Sequence, residues 1–411
     1  MSSYFPGDLI ITELSVNSQR GTLDLSNSFV AASIYESVFT PGTVADIVVL
    51  DTQDQLGILK LQGDEIIIFS CKTPGGDTSN FVFFLYSIVD VNSTGAQKSK
   101  MYTLQGVSQE AMYAKTHYVQ KSYMDTCSNI VKDIHSNPVY LNSQKDLNVE
   151  DSSGPQKILI PHKSPYQAIN LVKKRAVSVD TKSSSFVYYE SRNKGKQTYN
   201  FVTLESLFSK DVVKSFQQSD AINTSILNQQ DNNILAYRVP KQLSSIDKIH
   251  LAGPRRTTVF NFTTQQFTSN VVQTTATKFI TAGVDAAKEI SSLFSSLFFD
   301  TENPKFTLSP MSYSQVPDSN ISGSLADKQA YVALLLQNAM KIRVPGDMIL
   351  TAGAMINCNI PNKQGLTGPI KLDPLMSGNF LITRIHHRIG MVVEKPRYTC
   401  VIEGIKGTYA S

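Results

Sequence analysis

Two distant stretches of this chain match each other, and that internal repeat constrains the fold more than any other feature. The later stretch, Asn379 to Gly407, reads NFLITRIHHRIGMVVEKPRYTCVIEGIKG, and the earlier one, Asn80 to Gly106, reads NFVFFLYSIVDVNSTGAQKSKMYTLQG. Both begin Asn-Phe, continue in β-branched and aromatic residues, cross a turn that contains Lys, and resume at Tyr-Thr: Tyr102-Thr103 and Tyr398-Thr399. Each follows a Cys with a Pro three residues on, Cys71 with Pro74 and Cys358 with Pro361. The alignment is loose and needs gaps. Two copies of a hairpin-like pattern set so far apart point to a duplicated β-domain and not to a short-period solenoid.

A chain of 411 residues is long for one hydrophobic core, and two to four domains are expected. Charged residues make up only 18% of the chain. A surface rich in Ser, Thr, Asn and Gln suits assembly, because neutral hydrogen-bonding groups are cheaper to desolvate than charges. A compositional bias of the source explains it equally well. The formal net charge of +4 is too small to argue for nucleic acid or a membrane. Its distribution is uneven: Met1 to His117 carries twelve Asp/Glu against six Lys/Arg, and Met340 to Ser411 carries nine Lys/Arg against four Asp/Glu.

Cys71, Cys127, Cys358 and Cys400 are widely spaced, with no C-x-x-C pair. Free thiols in a reducing compartment are expected. The start, MSSYFPGDLIITEL, lacks the basic-then-apolar order of a secretory signal. The longest apolar runs, such as Phe81 to Val89, are too short to span a bilayer.

Along the chain, residues up to 117 read as short strands with turn punctuation, as in a small barrel or sandwich. Ser122 with Asp125 predicts a helix start, and Cys127, Ile130, Val131 and Ile134 give that helix one apolar face, with His135 at its end. Ser164-Pro165 predicts a second helix, ending in Lys173-Lys174-Arg175 on a solvent-facing last turn. Phe186 to Glu190 and Gln197 to Leu204 predict a hairpin around Arg192-Asn-Lys-Gly195. Strands are expected at Ile234 to Val239 and Thr257 to Phe262, with a basic turn, Gly253-Pro-Arg255-Arg256, between them.

Asp285 to Phe299 is the most amphipathic stretch. Ile290, Leu293, Phe294, Leu297 and Phe298 form a helical stripe that is either core or a subunit or partner interface. A further helix is expected from Ser324 to Asn338, followed by the last strands.

No nucleophile elbow, zinc helix or phosphate loop is present, and no dinucleotide-binding Gly-rich turn follows a strand. Nothing singles out a carboxylate pair for glycoside hydrolysis. His386-His387 is no metal pair on a strand, since adjacent side chains point to opposite faces. One is expected inside and one outside. No cofactor, metal or catalytic residue is nominated.

Four stretches carry a resemblance over essentially the full length. They are the run Tyr102 to Ala111 that ends the first β-region, the Tyr123 to Ile134 helix, the strands of Ile342 to Pro361, and the terminal hairpin. On these the chain resembles the central baseplate hub protein of contractile-tailed, T4-like bacteriophages, related to the hub part of type VI secretion spike proteins.

The resemblance implies an α+β, mainly β fold with two tail-tube-like β-barrels: 1–117, and 233–265 with 340–411. An α+β insertion at 118–232 and a helical and loop insertion at 266–339 would complete it. It implies a homotrimer with pseudo-six-fold symmetry that adapts a hexameric tail tube to a trimeric spike, without enzymatic activity. The implied partners are the spike, the tube or tube-initiator protein, tape-measure protein and baseplate wedge proteins, with DNA only as cargo in the lumen. The implied location is the virion tail, assembled in host cytoplasm. A cell-wall-degrading tail enzyme and a hub component of a secretion-system spike are the competing readings. The absence of a β-helical needle after Ser411 favours a hub with a separate spike.

Overall fold

The computed structural model describes residues 5–53, 57, 61, 63, 65–74, 76, 78–94, 99–218, 231–240, 255–261, 266–272, 312–313, 339–362, 372–373, 376–392 and 395–406. The stripe Ile290, Leu293, Phe294, Leu297 and Phe298, the helices expected at 285–299 and 324–338, and Gly253-Pro254 lie outside them.

The fold is α+β and mainly β. The first region contributes β1 (Ile10–Ser18), β2 (Gly21–Asp24), β3 (Phe29–Ser37), β4 (Val44–Asp51), β5 (Ile66–Lys72), β6 (Thr78–Thr94) and β7 (Ser99–Val107). Their inward residues alternate along each strand, as in β4, where Ala45, Ile47 and Val49 are buried. That period of two is what a sheet with one covered face requires.

A layer of helices and smaller sheets follows: α1 (Gln109–Thr116), β8 (Val119–Asp125), α2 (Cys127–Ser136), β9 (Leu147–Val149), β10 (Gln156–Lys163), α3 (Pro165–Lys173), β11 (Phe186–Asn193), β12 (Lys196–Thr203) and α4 (Leu204–Phe208). The chain returns to the large sheet with β13 (Val212–Gln217) and β14 (Ala236–Arg238). A separate sheet holds β15 (Arg255–Asn261), β16 (Gln266–Val272) and β17 (Ser312–Tyr313). The final strands are β18 (Ala339–Pro345), β19 (Met355–Asn359), β20 (Gly378–Val392) and β21 (Lys395–Ile405).

Several local expectations shift. Ser122 is not a helix start: β8 pairs with β10 through Ser122↔Leu159. The cap is Thr126, whose hydroxyl accepts from Asn129 N–H, while the Asp125 carboxylate accepts from Thr126 N–H. The apolar face of α2 is buried as its spacing predicts. In α3, Ser164 and Gln167 form a full capping box ahead of Pro165. Of its basic end, only Lys174 is exposed. Burial, with Lys174 beside it, pushes the Lys173 ammonium down to about 8. Arg255 and Arg256 open β15 instead of forming a turn, and Gln266–Val272, expected within a helical and loop segment, is the strand paired with them.

The large sheet contains the same five-strand unit twice. In one, the order β5-β6-β7-β4-β3 is antiparallel throughout; in the other, β19-β20-β21-β18-β14 repeats both that order and the chain order. The registers coincide as well. Leu85↔Gly106 and Ala45↔Gly106 correspond to Ile382↔Gly404 and Met340↔Gly404. A bulge falls at Tyr86 in one copy and at Thr383 in the other. A glycine sits against a phenylalanine in both: a Cβ on Gly106 would lie 2.8 Å from Phe83 Cβ, and one on Gly404 3.1 Å from Phe380 Cβ. The flanking strands differ, since β1 joins β5 antiparallel and β13 joins β19 parallel.

The two units are fused by β3 pairing with β20, from Ser37↔Arg384 to Ala31↔Gly390. One apolar core runs under both units. A second lies between α2, α3 and strands β8 and β10 to β12. A third, with Val38, Tyr189, Leu204, Leu207, Leu381 and Ile405, joins the helical layer to the seam.

Candidate functional site

The polar chemistry concentrates where β3, β20 and the β11–β12 hairpin meet. The hairpin forms where expected, turning at Lys194-Gly195. Gly195 has φ +78° and packs so closely on Thr78 that a Cβ there would lie 2.2 Å from the Thr78 carbonyl oxygen, so only glycine fits. Asn80 N–H donates to Gly195 O at 3.1 Å, which clamps the hairpin to β6.

That clamp carries Arg192 into the seam. Arg192 Nε donates to Glu36 Oε1 at 2.8 Å, Nη2 to Leu350 O at 2.7 Å, and Nη1 to Met348 O at 3.1 Å. Glu36 accepts further from Thr351 Oγ1 at 2.6 Å and Ala352 N–H at 3.0 Å. Glu36, Arg192 and His387 are at most 7% exposed. Burial alone would raise the Glu36 carboxyl; the Arg192 charge, with the Thr351 hydroxyl, holds it well below the usual carboxylate range. Glu36 in turn raises Arg192 against the opposing effect of burial.

Burial pushes His387 down, so the ring is neutral at pH 7, and its 3.4 Å approach to Glu36 is not an ion pair. Nε2 then accepts from Arg192 Nη2 at 3.2 Å, and Nδ1–H donates to Tyr398 Oη at 2.6 Å. The histidines split as the strand period requires: His387 is buried and His386 half-buried, stacked on Tyr35 at 4.2 Å.

A second buried network holds the helical layer to the first unit. Lys145 Nζ lies 2.9 Å from Glu110 Oε2 and 2.6 Å from Glu190 Oε1. Ser143 Oγ donates to Glu110 Oε1 at 2.7 Å, and Thr43 N–H to Glu190 Oε2 at 2.9 Å. Ser108 Oγ also donates to Glu190. His135, at the end of α2, is packed between Tyr188 Oη at 2.9 Å and Lys145 O at 3.0 Å.

Both carboxylate clusters are buried and ion-paired, and they fix the packing of one element on another. Among the described residues no group of three or more His, Cys, Asp or Glu could hold a metal ion. No helix among them is long and apolar enough to cross a membrane. A cleft of about 910 Å³ opens beside the seam, lined by Asp8, Lys194, Lys214, Asp231, Asp347 and Arg192 among others. Lys214 pairs with Asp347 at 2.7 Å. Sequence reasoning missed Glu36, Arg192, Glu110, Lys145 and Glu190. No motif could have flagged them, because each pairing joins residues far apart in the chain.

No protein-family model matches the sequence, and no curated protein is similar to it at sequence level. Solved structures are. A tail protein from Neisseria meningitidis MC58 superposes with TM-score 0.54 at 12% identity, over 96% of each chain. The 43 kDa tail protein of prophage MuSo2 from Shewanella oneidensis gives TM-score 0.52 at 10% identity, over 96% of this chain and 98% of that one. A type VI secretion component of E. coli matches with TM-score 0.49 at 9% identity, over 98% of this chain and 78% of that one. The chain shares its fold with the Neisseria and Shewanella tail proteins.

Proposed function

We propose that this protein is the structural hub of a contractile phage tail baseplate: a trimer with pseudo-six-fold symmetry that joins a hexameric tail tube to a trimeric spike. The observation that carries this reading is the five-strand unit repeated in one register. Three copies of a chain with two near-equivalent units offer six similar surfaces in a ring, which continues a six-fold tube on one side and fits a three-fold spike on the other. In this reading the units correspond to tube-like barrels at 1–117 and at 233–265 with 340–411, with insertions at 118–232 and 266–339; within the second range β15 pairs with β16 and β17 and stands outside the five-strand unit.

The likeness in fold to tail proteins supports a structural role in the virion tail, with assembly in the host cytoplasm. The spike, the tube or its initiator, tape-measure protein and wedge proteins are the partners. The stripe Ile290, Leu293, Phe294, Leu297 and Phe298 is a candidate contact with a neighbouring subunit or partner. In a ring the unlike units alternate, so the acidic first unit would always abut the basic second one, which favours the correct order.

Native mass spectrometry of the purified chain, alone and with its spike protein, tests the proposal. Three copies per spike trimer are expected, and any other stoichiometry overturns it. Release of soluble fragments from peptidoglycan would overturn the non-enzymatic role.

A further inference from the structure

In the fused pair of units, one contact repeats a possibility that the other unit leaves unused. Strand β20 is long: Gly378–Leu381 pairs with β19, and past the Thr383 bulge the same edge, Arg384–Gly390, takes β3 of the other unit. Strand β6 is built the same way. Thr78–Phe84 pairs with β5, and the bulge at Tyr86 follows. Beyond it, on the side of β5, no strand pairs with Ser87–Asn92 among the described residues. This edge has no Lys or Pro, its one charge is Asp90 at a bulge, and Tyr86 and Val91 on it are exposed. The counterpart of β3 is β14, which pairs with β18 and with no other strand among the described residues.

We infer that the outer half of β6 is a strand-docking site for β14 of a second copy of this chain, reproducing between chains the β20–β3 seam within each chain. This rests on the ring reading above and names the surface that would close it. Each unit then offers one accepting edge and one inserted strand. Such a head-to-tail contact generates a closed ring when the rotation closes.

The register follows from the equivalences. Asn92 opposes Met101 as Arg388 opposes Thr399, and Arg238 opposes Lys341 as Ser33 opposes Asp46. Since Arg388 pairs with Ser33, Asn92 of one copy would face Arg238 of the next, with Asp90 close to that arginine. Strand β6 carries one more residue here than β20, taken up at Asp90, whose φ is +54°.

Pro240 does not block the pairing. It takes the place of Tyr35, and in the seam Val38 N–H donates to Thr383 O at 2.9 Å. Alternation along an antiparallel ladder makes Tyr35↔His386 a pair without hydrogen bonds, so the missing N–H would point toward β18. By the same count Arg388↔Ser33 is a close pair without hydrogen bonds, the geometry a disulfide tolerates.

The test is the double variant Asn92→Cys with Arg238→Cys in the full chain, with and without the spike protein. Oxidation is followed by denaturing gels and assembly by native mass spectrometry. Both positions are exposed, and Cys71, Cys127, Cys358 and Cys400 are buried and will not compete. The expected result is a thiol-reversible ladder ending at three chains, absent from either single variant. A three-copy assembly without linkage overturns this docking site and leaves the ring reading standing. Failure to form three copies alone or on the spike overturns both.

Discussion

Arg192 and Glu36 meet at 2.8 Å, each almost without solvent contact, although 156 positions separate them in the chain. Arg192 comes from the hairpin that packs onto the seam and Glu36 from the strand that makes it, so one ion pair registers three parts of the molecule.

Breaking that pair on one side leaves a buried charge uncompensated, which costs about 3–5 kcal/mol. Glu36→Ala is therefore expected to lower the urea midpoint strongly. Glu36→Leu combined with Arg192→Met should recover most of the loss, because it removes both charges and keeps the volume. A double variant no better than the single one would show that the remaining partners of Arg192, not Glu36, carry the stabilisation.

Stability should fall as the solution is acidified from pH 7 toward pH 4. Burial keeps His387 neutral, and burial with the Arg388 charge pushes His386 down to about 4. The unfolded chain binds protons on these rings below about pH 6.5 while the folded chain does not, so the unfolded state gains as pH drops. Glu36 acts in the same sense at lower pH: its folded value is depressed, and its contribution is lost below about pH 4.5. Urea titrations of His386→Phe, which keeps a ring on Tyr35, should show a shallower decline between pH 6.5 and 4 than the parent protein.

The two glycine–phenylalanine contacts should tolerate a methyl group unequally. Gly106→Ala places a Cβ 2.8 Å from Phe83 Cβ, where something must shift, and overpacking of that kind costs about 1–3 kcal/mol. Gly404→Ala, at 3.1 Å from Phe380 Cβ, needs a smaller adjustment. Thermal melts should rank Gly106→Ala as the more damaging. The reverse order would mean that the two units differ in how rigidly the phenylalanine is held.

If opposite charge on the two units orders the ring, association of the purified protein should weaken as salt rises from about 0.1 M to about 1 M, where screening shortens from roughly 10 Å to 3 Å. Sedimentation at both ionic strengths reads this directly, and a constant association constant would remove charge from the account.

The repeat was legible in the sequence because strands carry their signal in a period of two, but its register was not. The Asn80-Phe81 and Asn379-Phe380 match is two residues out of structural register: Phe83 is the true counterpart of Phe380, and Phe69, not Cys71, that of Cys358. A slip of two keeps every side chain on its face, so the pattern survives while the identities mislead. The hairpin carrying Arg192, the cap of α3 and the apolar face of α2 were readable because turns, caps and amphipathic spacing are local, whereas the start of α2 was misplaced onto β8. The seam was not, since nothing near Glu36 in the chain announces Arg192 or His387.

The β3–β20 ladder also sets a timetable for biogenesis. Strand β3 is among the first strands synthesised, yet its seam partner follows about 350 residues later, which makes this contact highly non-local. Until then the nascent first unit carries an open edge of the kind that recruits stray strands. The chain therefore commits to its final shape late, and the ladder that fuses its halves doubles as the step most in need of protection while the protein is being made.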